Sequence, residues 1–127
     1  MRDLIVATLT VAILICTWLV FYDYSENRID DFAHTIEDTI IPLVEDERWD
    51  ESNEEIILLN SKWHSYKTIA LLFLDTQTIN EIDYSMAKST KYIKAKDISN
   101  SSGELLVMRE QLRFLSYNDR VSISNIL

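Results

Sequence analysis

Turn-forming residues and cysteine are almost absent from this 127-residue chain, which has one glycine, one proline and one cysteine. A β-sheet protein needs frequent turns, and glycine and proline form many of them. With only Pro42 and Gly103 available, the composition excludes a sheet-rich fold and predicts an all-α protein. The single cysteine, Cys16, cannot form an internal disulfide, so packing alone must hold the folded part together.

The residue groups that mark common catalytic sites are also missing. The sequence has no glycine-rich phosphate loop, no pair of cysteines for zinc and no Gly-x-Ser-x-Gly nucleophile turn. We therefore expect no enzymatic activity and assign no catalytic, cofactor-binding or metal-binding residues. His34, Glu37 and Asp38 could offer ligands to a divalent metal. A solvated polar helix face is the favoured interpretation of that group.

The whole chain has a net charge of −9, and positive charge is scarce in its first half. Residues 23–60 contain thirteen acidic residues and two basic ones, whereas residues 61–127 contain nine basic and seven acidic ones. Binding to nucleic acid depends on lysine and arginine neutralising phosphates. We therefore expect no nucleic-acid partner, and we expect a domain with an acidic half and a nearly neutral half.

What the chain does contain is one long apolar run without charge, residues 4–22. A helix of that length rises about 28 Å, close to the hydrocarbon thickness of a bilayer. No small-x-small cleavage site ends the run, which favours an anchor over a cleaved signal peptide. Trp18, Tyr22 and Tyr24 would lie in the headgroup layer at one end. The sequence predicts a transmembrane anchor over residues 1–23 and an acidic helical-bundle domain over residues 24–127.

The orientation of the anchor depends on few charges. Arg2 and the α-amino group lie on the short side of the run, and Arg28 lies on the long side. Since positive charge is retained in the cytoplasm, the balance predicts a single-pass protein of the cell membrane with a cytoplasmic N-terminus. The C-terminal domain would then be extracytoplasmic.

Apolar residues at helical spacing predict about four helices packed as a small antiparallel bundle. The first stripe consists of Ile29, Phe32, Ile36, Ile40 and Leu43. No glycine or proline separates this stripe from the membrane helix, so the two should form one helix until Pro42 bends or ends it. A second stripe runs from Trp49 to Phe73 and places both Trp49 and Trp63 in the core, with Asp46 as a candidate N-cap.

Two capping boxes predict the starts of the remaining helices. Thr78 with Glu81 has the required spacing for the third helix, and Ser101 with Glu104 has it for the fourth. An earlier start of the fourth helix near Asp97 is the alternative. We expect the fourth helix to end at residues 118–119, the polar run 99–102 to be exposed, and the apolar residues near the C-terminus to dock on the bundle.

Short segments follow one another in a recognisable order after the apolar run. They are Glu45-Asp46-Glu47-Arg48-Trp49, Trp63, Leu72-Phe73-Leu74-Asp75, Ile79-Asn80-Glu81-Ile82-Asp83, Tyr92-Ile93, Asp97 and Ser124-Asn125-Ile126-Leu127. In this order they resemble a domain-of-unknown-function family of small single-pass membrane proteins from anaerobic, often spore-forming bacteria. The resemblance implies a helical extracytoplasmic domain without an assigned activity. The chain differs from this family at position 76, where it has Thr76 and the family commonly has histidine.

Small residues recur on one face of the apolar run, at Thr8, Ala12 and Cys16. This spacing lets two membrane helices approach closely, although an ordinary span with scattered small residues is the competing interpretation. We expect an accessory or structural protein that contacts the lipid bilayer and docks on another membrane protein or on itself. The alternative is a ligand- or metal-binding sensor module, since helical bundles bind small molecules between helices. Three residues before the run are too few for a sensor output, so a sensor would signal through a partner.

Overall fold

The structure is a computed structural model that describes the backbone of residues 1–126 and the side chains of residues 1–117. Its elements are α1 (Arg2–His34), the π-helical segment π1 (Thr35–Ile40), α2 (Ile41–Glu45), α3 (Trp49–Ala70), α4 (Thr76–Lys94) and α5 (Ile98–Ile126). The first three elements form one continuous helix, Arg2–Glu45, which we call the long helix. No strand occurs in the described part of the chain. The prediction of an all-α fold with about four helices is confirmed.

Helices that follow one another in the chain pack antiparallel to each other. Phe21 of the long helix stacks on Phe73 just after α3, whereas Phe32, further along, packs against Trp63 in α3. Ser85 in α4 donates a hydrogen bond to Gln111 in α5, and α5 also packs along the long helix. The bundle therefore has an up-down-up-down arrangement, and its last helix closes against its first.

The core is one contiguous cluster of apolar side chains contributed by all four helices. Its buried members are Phe21, Ile29, Phe32, Ile36, Ile40, Val44, Ile56, Leu59, Trp63, Tyr66, Ala70, Ile79, Ile82, Met86, Ile93, Leu105, Met108, Leu112 and Leu115. The buried residues Ile29, Phe32, Ile36 and Ile40 belong to the first predicted stripe. Those of α3 lie within the second stripe, whose predicted last residue, Phe73, is exposed. Trp63 is buried as predicted, whereas Trp49 is half-buried at the edge of the cluster.

The long helix does not end at Pro42, because the turn before it is wide. A proline has no N–H, and its ring collides with the carbonyl group four residues earlier in a regular helix. In π1 the backbone N–H of Ile41 bonds to the carbonyl of Ile36, five residues back, and α2 follows directly. The extra residue in this turn shifts the helix phase. Val44 is therefore the buried residue, and Leu43, the predicted one, is half-buried.

Two predicted helix starts are wrong by a few residues. Asp46 lies in the turn after α2, where Glu47 adopts a positive φ of 58°, and α3 begins after Arg48. The cap of α4 is Asp75, whose carboxylate accepts the backbone N–H of Thr78, so Thr78 lies inside the helix and is buried. Aspartate and threonine can both cap the N-terminus of a helix, and here the earlier residue, Asp75, is the cap of α4.

The start of α5 agrees with the alternative prediction. Asp97 accepts the backbone N–H of Asn100 at 3.0 Å, and Ser101 donates its hydroxyl to the backbone carbonyl of Asp97. Ser101 is therefore buried, which corrects the expectation of an exposed run over residues 99–102, whereas Ser99 is exposed.

The predicted end of α5 is also wrong, since the helix continues through residues 118–119 to Ile126. Asparagine and aspartate weaken a helix only modestly, and no glycine or proline follows Gly103 to terminate it. The predicted docking of the C-terminal apolar side chains falls outside the side chains that the structure describes.

Candidate functional site

The N-terminal part of the long helix presents its apolar side chains outward. The exposed ones are Leu4, Ile5, Val6, Leu9, Val11, Ile13, Leu14, Ile15, Leu19 and Val20. Within the described chain, this helix is the one long and apolar enough to cross a membrane. The first core residue along it is Phe21. The long helix thus changes its role at Phe21. We call the part before it, residues 4–20, the rod, and the helix contributes to the core from Phe21 onward.

The predicted contact residues Thr8, Ala12 and Cys16 all lie in the exposed part of this helix. The hydroxyl of Thr8 donates to the carbonyl of Leu4 at 2.8 Å, and Cys16 is a free thiol. Their spacing of four residues keeps them on one helix face. No described part of the bundle covers that face.

Where the rod meets the bundle, the long helix is held to α3 by ring contacts and one buried hydrogen bond. The rings of Phe21 and Phe73 stack with centroids 4.3 Å apart. The hydroxyls of Ser25 and Tyr66 lie 2.5 Å apart and share a hydrogen bond in the core. The ring of Tyr24 lies 6.3 Å from that of Tyr66. These contacts join the long helix to α3 directly after the exposed apolar part.

A groove of about 450 Å³ lies between the long helix and α3, and we call it the polar groove. Its charged and titratable lining residues are Arg28, Asp31, His34, Asp38, Glu55 and Lys62. The guanidinium of Arg28 lies 5.9 Å from the ring of Tyr24 and 5.7 Å from that of Phe32, within cation–π range. Its Nε atom is buried and has no hydrogen-bond partner within the described residues.

The His34, Glu37 and Asp38 group is not assembled as a metal site. The Nδ1 atom of His34 lies 3.3 Å from the carboxylate of Asp38. Glu37 instead pairs across to α5, 3.1 Å from Arg109 and 3.2 Å from Arg113. His34 shares the polar groove with Leu58 rather than with His64. In the part of the chain with described side chains, no three histidine, cysteine or acidic residues come together.

A second groove, of about 360 Å³, lies between α4 and α5, and we call it the apolar groove. Its lining residues are Thr78, Glu81, Leu106, Val107, Glu110, Gln111 and Phe114. Leu106, Val107 and Phe114 are exposed. The sequence reasoning missed this surface because it counted only the core stripe of α5. The signal was present, since α5 carries apolar residues on both sides of that stripe.

Comparison with models of known protein families gives a match to this chain. The model of the domain of unknown function DUF4363 matches residues 19–126, from just before the first core residue to the end of α5. The chain belongs to the DUF4363 family. The DUF4363 region contains the whole described bundle and leaves out most of the apolar run. Neither a curated protein nor a solved structure gives a significant match to this chain.

Proposed function

We propose that this DUF4363 protein is a single-pass membrane protein whose helical bundle lies outside the cytoplasm and acts as an accessory or structural subunit. The observation that carries the proposal is the change of role at Phe21. Before it, ten large apolar side chains of the long helix face outward, and from it onward the same helix forms the core. An anchor joined in this way to the bundle would hold it at a set height above the membrane.

The exposed rod needs an apolar environment. Each Å² of apolar surface left in water costs about 25 cal/mol, and soluble monomers rarely expose a continuous apolar patch above several hundred Å². A lipid bilayer covers such a rod on all sides. The long helix runs without a break from the apolar segment into the core at Phe21. This supports a retained anchor rather than a removed leader.

Docking on another membrane protein, or on a second copy, would use the face of Thr8, Ala12 and Cys16. Small side chains at intervals of four let a partner helix approach closely within the bilayer. The apolar groove between α4 and α5 offers the bundle a second contact surface, since Leu106, Val107 and Phe114 are exposed there. A scaffold role needs surfaces of this kind and no catalytic group.

A ligand-binding sensor that signals through a partner is the second candidate, and the polar groove favours it. The buried Nε atom of Arg28 is a hydrogen-bond donor that an anionic or carbonyl group could satisfy. The acidic residues Asp31, Asp38 and Glu55 line the same groove, and they oppose the entry of an anion. The accessory role therefore remains the favoured one.

The topology is tested by thiol labelling in intact cells. In a Cys16→Ser background, Ser99→Cys places a thiol at an exposed position at the start of α5, far from the apolar rod. It should react with a membrane-impermeant maleimide before lysis, because the bundle lies outside. The control Asp3→Cys, on the other side of the rod, should react only after lysis. The reverse pattern would place the bundle in the cytoplasm, and labelling of both before lysis would contradict a span.

A further inference from the structure

The turn between α3 and α4 is apolar and exposed. Leu71, Leu72 and Phe73 are all exposed, and residues 68–74 carry no charge. Leu72 is 78% exposed, more than any other large apolar side chain of the described bundle. A surface turn normally carries polar residues, because its backbone and side chains face water. The apolar turn therefore indicates a contact with something other than water.

The turn lies beside the exposed apolar part of the long helix. Phe73 stacks on Phe21, so the turn lies beside the point where the exposed apolar rod meets the core. Trp18 precedes Phe21 by one helical turn, about 5 Å along the axis. The apolar turn thus lies beside the point where the rod meets the bundle.

We propose that the α3–α4 turn, residues 71–74, is a second membrane contact that enters the boundary between lipid headgroups and acyl chains, with Leu72 at its tip. This inference rests on the proposed anchoring of the long helix in a bilayer. Short apolar segments bind at this boundary when their apolar side chains leave water while charged neighbours stay in it. The occupant is the lipid surface, because the turn adjoins, through the contact of Phe73 with Phe21, the helix proposed to lie in the bilayer.

The charges around the turn limit its depth. On the long helix, exposed Asp23 follows Phe21 by two residues. On the turn, Asp75 follows Leu74 directly, is exposed, and caps α4 through Thr78. Both elements therefore change from apolar to acidic at the same level of the bundle. Moving either carboxylate into hydrocarbon would be costly, so the contact is shallow.

Two contacts with the bilayer constrain the bundle more than one. A single span lets the bundle turn about the helix axis, whereas a second contact at Leu72 fixes which side faces the membrane. The apolar groove between α4 and α5 would then hold a constant orientation toward a partner in the same membrane. Leu72 thus acts on how the bundle is oriented at the membrane and not on its folding, since its side chain is exposed.

The test uses the full chain with Cys16→Ser, reconstituted in phosphatidylcholine vesicles. One variant carries Leu72→Cys and the matched control carries Ile57→Cys, an exposed apolar position on α3 about 20 Å from the turn. Each thiol is labelled with an environment-sensitive fluorophore. Acyl chains brominated near the headgroup should quench the label at residue 72 at least about twofold and leave the label at residue 57 unchanged.

The possible results distinguish failure of the membrane contact at the turn from failure of the membrane anchoring of the long helix. If the protein floats with the vesicles but both labels respond equally, the turn does not enter the lipid, and the anchoring stands. If the protein does not float with vesicles, the anchoring fails and the second contact fails with it. A third result would overturn the lipid contact. The label at residue 72 would then be unquenched by brominated lipid in vesicles, and it would be shielded from aqueous quenchers only in native membranes. That pattern would assign the turn to a protein partner.

Discussion

At the scale of single residues, Trp63 joins three helices. Its ring is buried, packs edge-on against Phe32 of the long helix at 5.8 Å and lies 5.6 Å from Tyr66 of α3. Its indole N–H donates to the carboxylate of Asp83 in α4 at 2.6 Å, and Lys67 donates to the other oxygen at 2.6 Å. A buried tryptophan needs a partner for its one polar atom, and Asp83 supplies it.

Removal of this side chain should strongly destabilise the bundle. We expect Trp63→Ala to lower the free energy of unfolding by about 3–5 kcal/mol, as a large-to-small change in a closed core does. Trp49→Ala is the matched control, because Trp49 is half-buried at the edge of the same cluster and should cost less. Denaturant unfolding of the detergent-solubilised chain, followed by circular dichroism, measures both. Equal losses in the two variants would contradict a central role for Trp63.

At the scale of elements, local hydrogen bonds decide where helices start. Asp97 begins α5 by accepting the backbone N–H of Asn100 at 3.0 Å and its side-chain amide at 2.7 Å. Both bonds favour the ionised carboxylate, the backbone bond most, and they lower the pKa of Asp97 below its ordinary value. Asp75 does the same for α4, where the hydroxyl of Thr78 lowers the pKa of Asp75 most.

This cap makes part of the stability dependent on pH. The pKa of Asp97 is lower in the folded chain than in the unfolded chain. The contribution of its ionised carboxylate to the free energy of unfolding is therefore complete above the unfolded pKa of about 4, and it is lost as the pH falls through the folded pKa. Asp97→Asn keeps a capping side chain but cannot titrate. The parent should therefore melt at a higher temperature than this variant at pH 7, and the difference should shrink as pH falls from 5 to 3. A difference that is constant with pH would contradict the assignment.

At the scale of the whole molecule, the bundle carries its negative charge unevenly. The acidic half comprises the long helix after the rod and the first part of α3, and the arginines of α5 partly compensate it. Arg109 and Arg113 both pair with Glu37 of the long helix. Solvent screens ion pairs this exposed, so they contribute little to the stability of the bundle.

The association proposed for the rod is testable at this scale. Ala12→Leu would separate helices that meet at Thr8, Ala12 and Cys16, so self-association or co-purification in mild detergent should weaken. Leu14→Ala changes another exposed residue, on a different face, and should leave association unchanged. Cross-linking yield or sedimentation of the parent and both variants measures the effect. Equal behaviour of all three would leave a plain anchor and assign partner binding to the bundle.

The amino-acid sequence by itself determined the helical class, the position of the apolar run and most of the core stripes. These properties follow from composition and from the helical repeat, which are local. Ile56, Leu59, Trp63 and Tyr66 are buried because they share one face of a helix, and that face can be read without a partner.

Only the tertiary structure decided the features that depend on competition or on register. Asp75 and Thr78 are both acceptable N-cap residues in the sequence, and the structure begins α4 after Asp75. The wide turn before Pro42 moved the buried position to Val44. The meeting of Phe73 with Phe21, which places the apolar turn beside the rod, joins residues 52 positions apart and depends on the antiparallel register of the two helices, which no local pattern encodes.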